Sequence, residues 1–328
     1  MQDQPSDRIS RIPFDYGRKR KFLGATLLAL LFCASATVTF AYLSDVPAVT
    51  IGGQPAAVSA SGKPDAFADV TLQAQAAYVK DLATGKVLYA YNATTPLPLA
   101  SLTKVAMALA VSEVIPPGDV VTLPRDLAAP GSTKRLPAGQ EWRLRDVMNF
   151  TLVTSSNEGA ELLASVADRA IRSRYPQAPS GGAAVWRMND IARMLGLSGM
   201  YFLNPSGLDV STTQAGAYGS AHDIAILFAY AASTTPGTFV GTTRDGVLLT
   251  SINGAQTSAS NTDKVLGSIP GLIMGKTGYT DLAGGNLAVL FDVGLLHPVV
   301  AVVLGSTYDG RFDDMKQLVA ASQVAVAQ

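Results

Sequence analysis

The stretch Ser101–Val114, SLTKVAMALAVSEV, opens with a serine and places a lysine three residues later, at the head of an apolar run. Its apolar residues recur at helical spacing, which predicts a helix. Positions i and i+3 share a helix face, so the ammonium of Lys104 would reach the hydroxyl of Ser101 one turn away. If Ser101 opens the helix, the macrodipole helps stabilise an alkoxide there. Val105, Ala106, Met107 and Leu109 would bury the helix, and a desolvated lysine has a lowered pKa. Neutral, it would act as a general base toward the serine. The plainer alternative is a helix-capping serine followed by a solvated lysine.

Working outward, AAYVKDLATGKVLYAYN carries two β-rich runs, Ala77–Val79 and Val87–Tyr91, on either side of DLATG. This predicts a hairpin. After the Ser101 stretch come LRDVMNFTLVTS, NEGAELLASVADRAI, AAVWRMNDIARMLGL and SAHDIAILFAYAA, all with helical spacing. Strands return late, in GLIMGKTG, GNLAVLFDVG and HPVVAVVLGS, and FDDMKQLVAASQVAVA reads as a final helix. Strands at both ends with helices between predict an α/β (α+β) fold: one sheet assembled from distant segments, with an inserted helical lobe.

The 328 residues are 48% hydrophobic and 15% charged, which describes a globular rather than a disordered chain. Basic and acidic residues number 25 each, so no overall charge draws the protein to nucleic acid. The balance hides an asymmetry. Residues 1–21 hold six Arg/Lys against three Asp, a local charge of +3 that leaves −3 for the rest. Its last five residues, GRKRK, run into FLGATLLALLFCASATVTFAY, the 21 uncharged residues Phe22–Tyr42. As a helix this segment would reach about 30 Å, enough to cross a bilayer core. The basic side would stay in the cytoplasm and the remainder would lie outside. A cleavable signal peptide is the rival, with Ala34–Ala36 as a small-residue site. The long basic region and Tyr42 at the far interface favour an uncleaved anchor. Cys33 lies inside this segment, so the exported part carries no disulfide or thiol chemistry. The expected division is a basic cytoplasmic tail (1–21), a single transmembrane anchor (22–42), a Pro/Gly/Ala-rich linker (43–70) and a catalytic domain (71–328).

The only histidines, His222 and His297, fall in no recognisable triad motif. A Ser-His-Asp mechanism is therefore not expected, and both read as structural. Two histidines without an exported cysteine also argue against zinc. In TSSNEGAELL, Ser155-x-Asn157 would project a hydroxyl and an amide from the turn before a helix. The same residues fit a capping box, with Ser155 at the N-cap and Glu158 three later. In LIMGKTGYT, Lys276 and Thr277 offer a cation and a hydroxyl to a carboxylate, and Gly278 permits close backbone approach to a ligand. A plain strand-to-turn ending is the alternative.

Together, Ser101-x-x-Lys104, Ser155-x-Asn157 and Lys276-Thr277-Gly278, in this order, resemble the signature of the penicillin-recognising serine enzymes. The surrounding segments, among them MNDIARMLGLSGMYFLNPSGLD and GRFDDMKQLV, resemble the D-alanyl-D-alanine carboxypeptidase family of penicillin-binding proteins, from about Ala77 to Val324. The resemblance implies a five-stranded antiparallel sheet flanked by helices with an all-helical lobe. It implies that Ser101 attacks the carbonyl between two D-alanines of a peptidoglycan stem peptide and that Lys104 takes its proton. Ser155 would relay that proton to the leaving amine, and Asn157 would bind the substrate amide and steady Lys104. Lys276 would help keep Lys104 neutral and aid Thr277 in holding the terminal carboxylate. The oxyanion would lie between the backbone N–H groups of Ser101 and Tyr279. β-Lactams would be trapped at the same serine, and no metal or cofactor is implied.

The chain departs from the family in three places. Many members carry a second β-rich domain and a C-terminal amphipathic anchor, a role the N-terminal segment would take here. Ser156 stands where glycine is common, a change expected to alter the cleft slightly. FLNPSGLD, Phe202–Asp209, offers no glutamate for deacylation, so fast drug hydrolysis is not expected. A D,D-endopeptidase cutting cross-links and a non-catalytic wall-binding or sensor protein remain the alternatives to a carboxypeptidase.

Overall fold

The computed structural model describes residues 65–124, 136–294 and 296–328. All belong to the unit Gly62–Gln328. The basic tail, the apolar segment and the linker up to residue 64 lie outside the described residues. Among the described residues no single helix is long and apolar enough to cross a membrane.

Five strands form the central sheet: β1 (Ala76–Asp81), β2 (Val87–Tyr91), β3 (Leu272–Thr280), β4 (Gly284–Asp292) and β5 (Pro298–Ser306). Their order is β3-β4-β5-β1-β2, with every neighbouring pair antiparallel. The late strands therefore close onto the early hairpin, with Ala76 opposite Leu304 and Val79 opposite Ala301. β4 and β5 read as unbroken apolar runs because both of their faces are buried. Leu287, Val289, Phe291, Val299, Ala301 and Val303 enter one core, while Ala288, Leu290, Val300, Val302 and Leu304 enter the other. Period-two alternation thus divides each strand between two layers.

Six main helices cover these faces: α1 (Lys104–Ser112), α2 (Leu144–Thr154), α3 (Asn157–Arg174), α4 (Ala183–Met194), α5 (Ala221–Thr234) and α6 (Gly310–Ala327). Phe312, Met315, Leu318 and Val319 of α6 pack on one face. On the other, α5 lies against β1 and β5 and joins the lobe formed by α1–α4. Residues Lys104–Val111 of α1 are all buried, which makes α1 the axis of that lobe. A helix apolar on every side is stable only in such a position.

The packed body begins before the expected boundary at residue 71. Phe67 is buried and its ring stacks on Tyr89, centroid to centroid 5.2 Å. A large aromatic side chain at this point anchors the end of what reads, by composition, as linker. Each histidine has a local neighbour: His222 meets the Tyr78 ring edge-on, and His297 Nε2 lies 2.8 Å from Asp81 Oδ2.

Candidate active site

Ser101 lies in a 3-10 turn, Ala100–Thr103, and α1 begins only at Lys104. The helix therefore starts one turn later than a serine-led helix would, yet the serine-to-lysine spacing still spans one turn. Ala100 holds φ +47°, a left-handed conformation that a non-glycine residue adopts at a cost. Three contacts fix it. The Thr103 hydroxyl donates to the Ala100 carbonyl at 2.7 Å. Gly207 lies so close that an added Cβ would stand 1.8 Å from the same oxygen. Gly278 abuts the other side, where a Cβ would come within 3.1 Å of the Ser101 nitrogen and 3.0 Å of the Leu99 oxygen. Gly278 thus closely approaches the Ser101 turn as well as lining the cleft described below.

Lys104 is fully buried. Its Nζ donates to Ser101 Oγ at 2.7 Å, Asn157 Oδ1 at 2.8 Å and the Ser206 carbonyl at 2.8 Å. Burial pushes its pKa well below the ordinary lysine value, and the nearby Lys276 cation pushes the same way, against the Glu161 carboxylate. Three acceptors converge on one amine, and only one of them, the Ser101 hydroxyl, has a proton to give once the amine is neutral.

Ser155 ends α2 in a left-handed conformation, φ 61° and ψ 34°. This aims its hydroxyl at Lys276, whose Nζ donates to Ser155 Oγ and to the Thr277 carbonyl, each at 2.8 Å. The capping role falls one residue later than expected. Ser156 is the N-cap of α3 and accepts from the Gly159 N–H at 3.0 Å. It is buried under that helix start and is not among the residues that line the cleft. Asn157, the first residue of α3, then faces Lys104.

Around this centre lies a cleft of about 370 Å³ lined by Ser101, Ser155, Asn157, Thr277, Gly278 and Tyr279, with further walls from Asn261, Thr262, Lys264, Tyr308 and Arg311. β3 is the edge of the sheet, so alternate backbone N–H groups point away from β4. The Thr277 and Thr262 hydroxyls hydrogen-bond at 2.6 Å.

Several parts of the site have no counterpart in the three motifs. The segment Phe202–Asp209 backs the site: its Ser206 carbonyl holds Lys104, and Asp209 ties it to β3 by accepting from Thr280 Oγ1 at 2.9 Å. A carboxylate does approach this segment, but from α3. Glu161, one turn after Asn157, accepts from Ser206 Oγ at 3.3 Å. Arg311 of α6 donates to the Gly278 carbonyl at 2.8 Å, with its guanidinium 4.6 Å from the Tyr308 ring centre. Asn286 is wholly buried, donates to the Pro98 carbonyl at 3.0 Å and accepts from the Gly305 N–H at 2.8 Å. The lone amide in the apolar run GNLAVLFD was a visible signal for Asn286. Nothing in local spacing marks Ser206 or Arg311.

Comparison with known proteins places this arrangement. Residues 60–307 match the family described as D-alanyl-D-alanine carboxypeptidase. The chain is 31% identical over 240 residues to D-alanyl-D-alanine carboxypeptidase DacB2 of Mycobacterium tuberculosis, covering 72% of this chain and 77% of that protein. To DacF of Bacillus subtilis it is 29% identical over 245 residues, covering 72% of this chain and 58% of the relative. A D-alanyl-D-alanine endopeptidase of Pseudomonas aeruginosa is 33% identical over 160 residues, about half of each chain. Among solved structures, a cefotaxime-bound penicillin-binding protein of Listeria monocytogenes superposes with a TM-score of 0.64 at 30% identity, over 77% of this chain and 98% of that one. By this match across most of its length, the chain belongs to the D-alanyl-D-alanine carboxypeptidase family.

Proposed function

We propose that the protein is a serine-type D-alanyl-D-alanine carboxypeptidase that removes the terminal D-alanine of peptidoglycan stem peptides and is acylated by β-lactams. The observation that carries this reading is the buried Lys104 amine 2.7 Å from Ser101 Oγ, with a second cation beyond it. Neutral Lys104 takes the Ser101 proton as Oγ adds to the carbonyl between the two D-alanines. The N–H groups of Ser101 and Tyr279 hold the oxyanion. Ser155, bonded to Lys276, relays that proton from Lys104 to the departing amine as the C–N bond breaks and D-alanine leaves, which returns Lys104 to its neutral form. Water then attacks the ester and frees Ser101. Asn157 fixes Lys104 and binds the substrate amide, while Thr277 with Lys276 receives the terminal carboxylate. A β-lactam enters the same steps, but its opened ring stays attached at Ser101.

The basic tail and the apolar segment 22–42 support a single-pass anchor that holds this domain outside the cytoplasmic membrane. Two measurements test the whole reading. Chromatography of muropeptides follows loss of D-alanine from monomeric pentapeptides against loss of cross-linked dimers. Labelled penicillin is expected to modify the wild type stoichiometrically and Ser101→Ala not at all. Disappearance of dimers while pentapeptides survive would replace the carboxypeptidase with an endopeptidase, and persistent covalent labelling of Ser101→Ala would overturn the nucleophile.

A further inference from the structure

Beside the strand that carries Lys276 and Thr277 lies a carboxylate that the reaction above does not use. Asp263 is 6% exposed. Its Oδ1 accepts from the Val265 N–H at 3.0 Å, whereas its Oδ2 is buried with no hydrogen-bond partner among the described residues. Oδ2 lies against Gly275 of β3, where an added Cβ would stand 3.5 Å away. Side chains at 275, 277 and 279 share one side of a strand, so Asp263 sits on the Thr277 side. Its neighbour in sequence, Thr262, makes the hydroxyl contact to Thr277.

The charged groups that act on Asp263 come from two packed elements: Arg311 of α6 and Lys276 of β3. Lys264, next in sequence and a wall of the cleft, is already paired with Asp309 at 2.8 Å. Burial raises the Asp263 carboxyl above its ordinary range, against the Val265 hydrogen bond and the two cations. A buried carboxylate with one oxygen unsatisfied is costly to keep. An asparagine would keep the Oδ1 acceptor without burying a charge, so the Val265 contact alone does not require one here.

The consequence of that charge falls on the substrate's anionic end. Lys276 and Arg311 together would grip a terminal carboxylate strongly, including the one on the departing D-alanine. We propose that Asp263 is a specificity-setting, positioning residue whose negative charge offsets Lys276 and Arg311 and limits how tightly the cleft holds a terminal carboxylate. It acts through those cations and touches no reacting atom. The proposal rests on the carboxypeptidase reading. Neutralising Asp263 tightens binding of acid-terminated ligands and leaves neutral ones unaffected.

The test uses the full chain as wild type, Asp263→Asn and Asp263→Ser, both of which keep an acceptor for Val265. One measurement is KM and kcat for D-alanine release from a tripeptide ending in D-Ala-D-Ala. The other is protection from labelled penicillin by that peptide and by its C-terminal amide. In both variants KM for the acid should fall about fivefold without a rise in kcat, the order expected of one charge acting over about 10 Å at a dielectric between protein surface and water. Protection by the acid should strengthen to match, and protection by the amide should not change. An unchanged or raised KM in both variants, or equal shifts for acid and amide, overturns the proposal. If the wild type is acylated yet releases no D-alanine, the carboxypeptidase reading fails separately. The acid-versus-amide comparison still decides the role of Asp263.

Discussion

Gly207 stands behind the Ser101 turn, and one added methyl group measures how firmly that turn is held. In Gly207→Ala the new Cβ would lie 1.8 Å from the Ala100 oxygen and 2.5 Å from both the Ala100 carbonyl carbon and Thr103 Oγ1. A tolerable C···O contact is about 3.3 Å. The two backbones must therefore part by about 1.5 Å. Behind Ala100 lies Gly278, which leaves only a narrow gap: a Cβ there would stand 3.2 Å from Ala100 Cβ, so a retreat of this size presses the turn onto β3. Part of the displacement reaches Ser101, and a misplacement of about 1 Å costs about 100-fold in rate. The left-handed φ of +77° at Gly207 adds about 1 kcal/mol, and overpacking adds about 1–3 kcal/mol. The control is Gly85→Ala, which has the same φ of +77° but nothing within 4 Å of the added methyl. It should lose about 1 kcal/mol of stability and no activity. The assay is the second-order rate of acylation by a fluorescent penicillin, with thermal melting of each variant. Acylation of Gly207→Ala within about threefold of Gly85→Ala would refute the claim that this contact positions the serine.

Two further outcomes are expected. Only the neutral Lys104 amine accepts a proton, so acylation rises with pH through the folded pKa of Lys104, which burial first and Lys276 second hold well below the ordinary value. Lys276→Gln removes the second cause and should move this rising limb to higher pH; a limb lowered in height but not moved would confine Lys276 to substrate binding. At Asp81, burial opposes ionisation, but hydrogen bonds from Thr84, His297 and Ala83 outweigh it and bring the carboxyl from 3.8 to about 2. Because the folded pKa is depressed, this stability is present above the unfolded value and is lost as pH falls through about 2. Denaturant unfolding of Asp81→Asn should therefore show a loss of about 2 kcal/mol at neutral pH that closes toward the acid end. A gap independent of pH would assign the loss to packing instead.

Ser101, Lys104, Ser155, Asn157, Lys276 and Thr277 were legible as candidates because general-base chemistry needs particular side chains at short, fixed spacings. The hairpin, the late strands and the helical middle were legible for a similar reason. Periods of two and 3.6 are written along the chain by which face is buried. The N-cap was missed by one residue because Ser155 and Ser156 are chemically alike. Which of them caps α3 depends on the left-handed turn at Ser155, and that turn also carries its hydroxyl to Lys276.

The order of the motifs came from the sequence alone, and their convergence came from the tertiary structure. Lys276 meets Ser155 across 121 residues, and Lys104 meets the Ser206 carbonyl across 102. A backbone carbonyl has no residue type by which to be noticed, and Arg311 reaches Gly278 from a helix with no fixed spacing to β3. Nor could the sequence show that α1 is buried on every side, since its apolar run fits a half-exposed helix as well. Burial of Lys104 depends on what the sheet and α3 place around it. The lowered pKa of Lys104 is therefore a property of the packed fold, because desolvation is set by all the neighbours at once and not by local spacing.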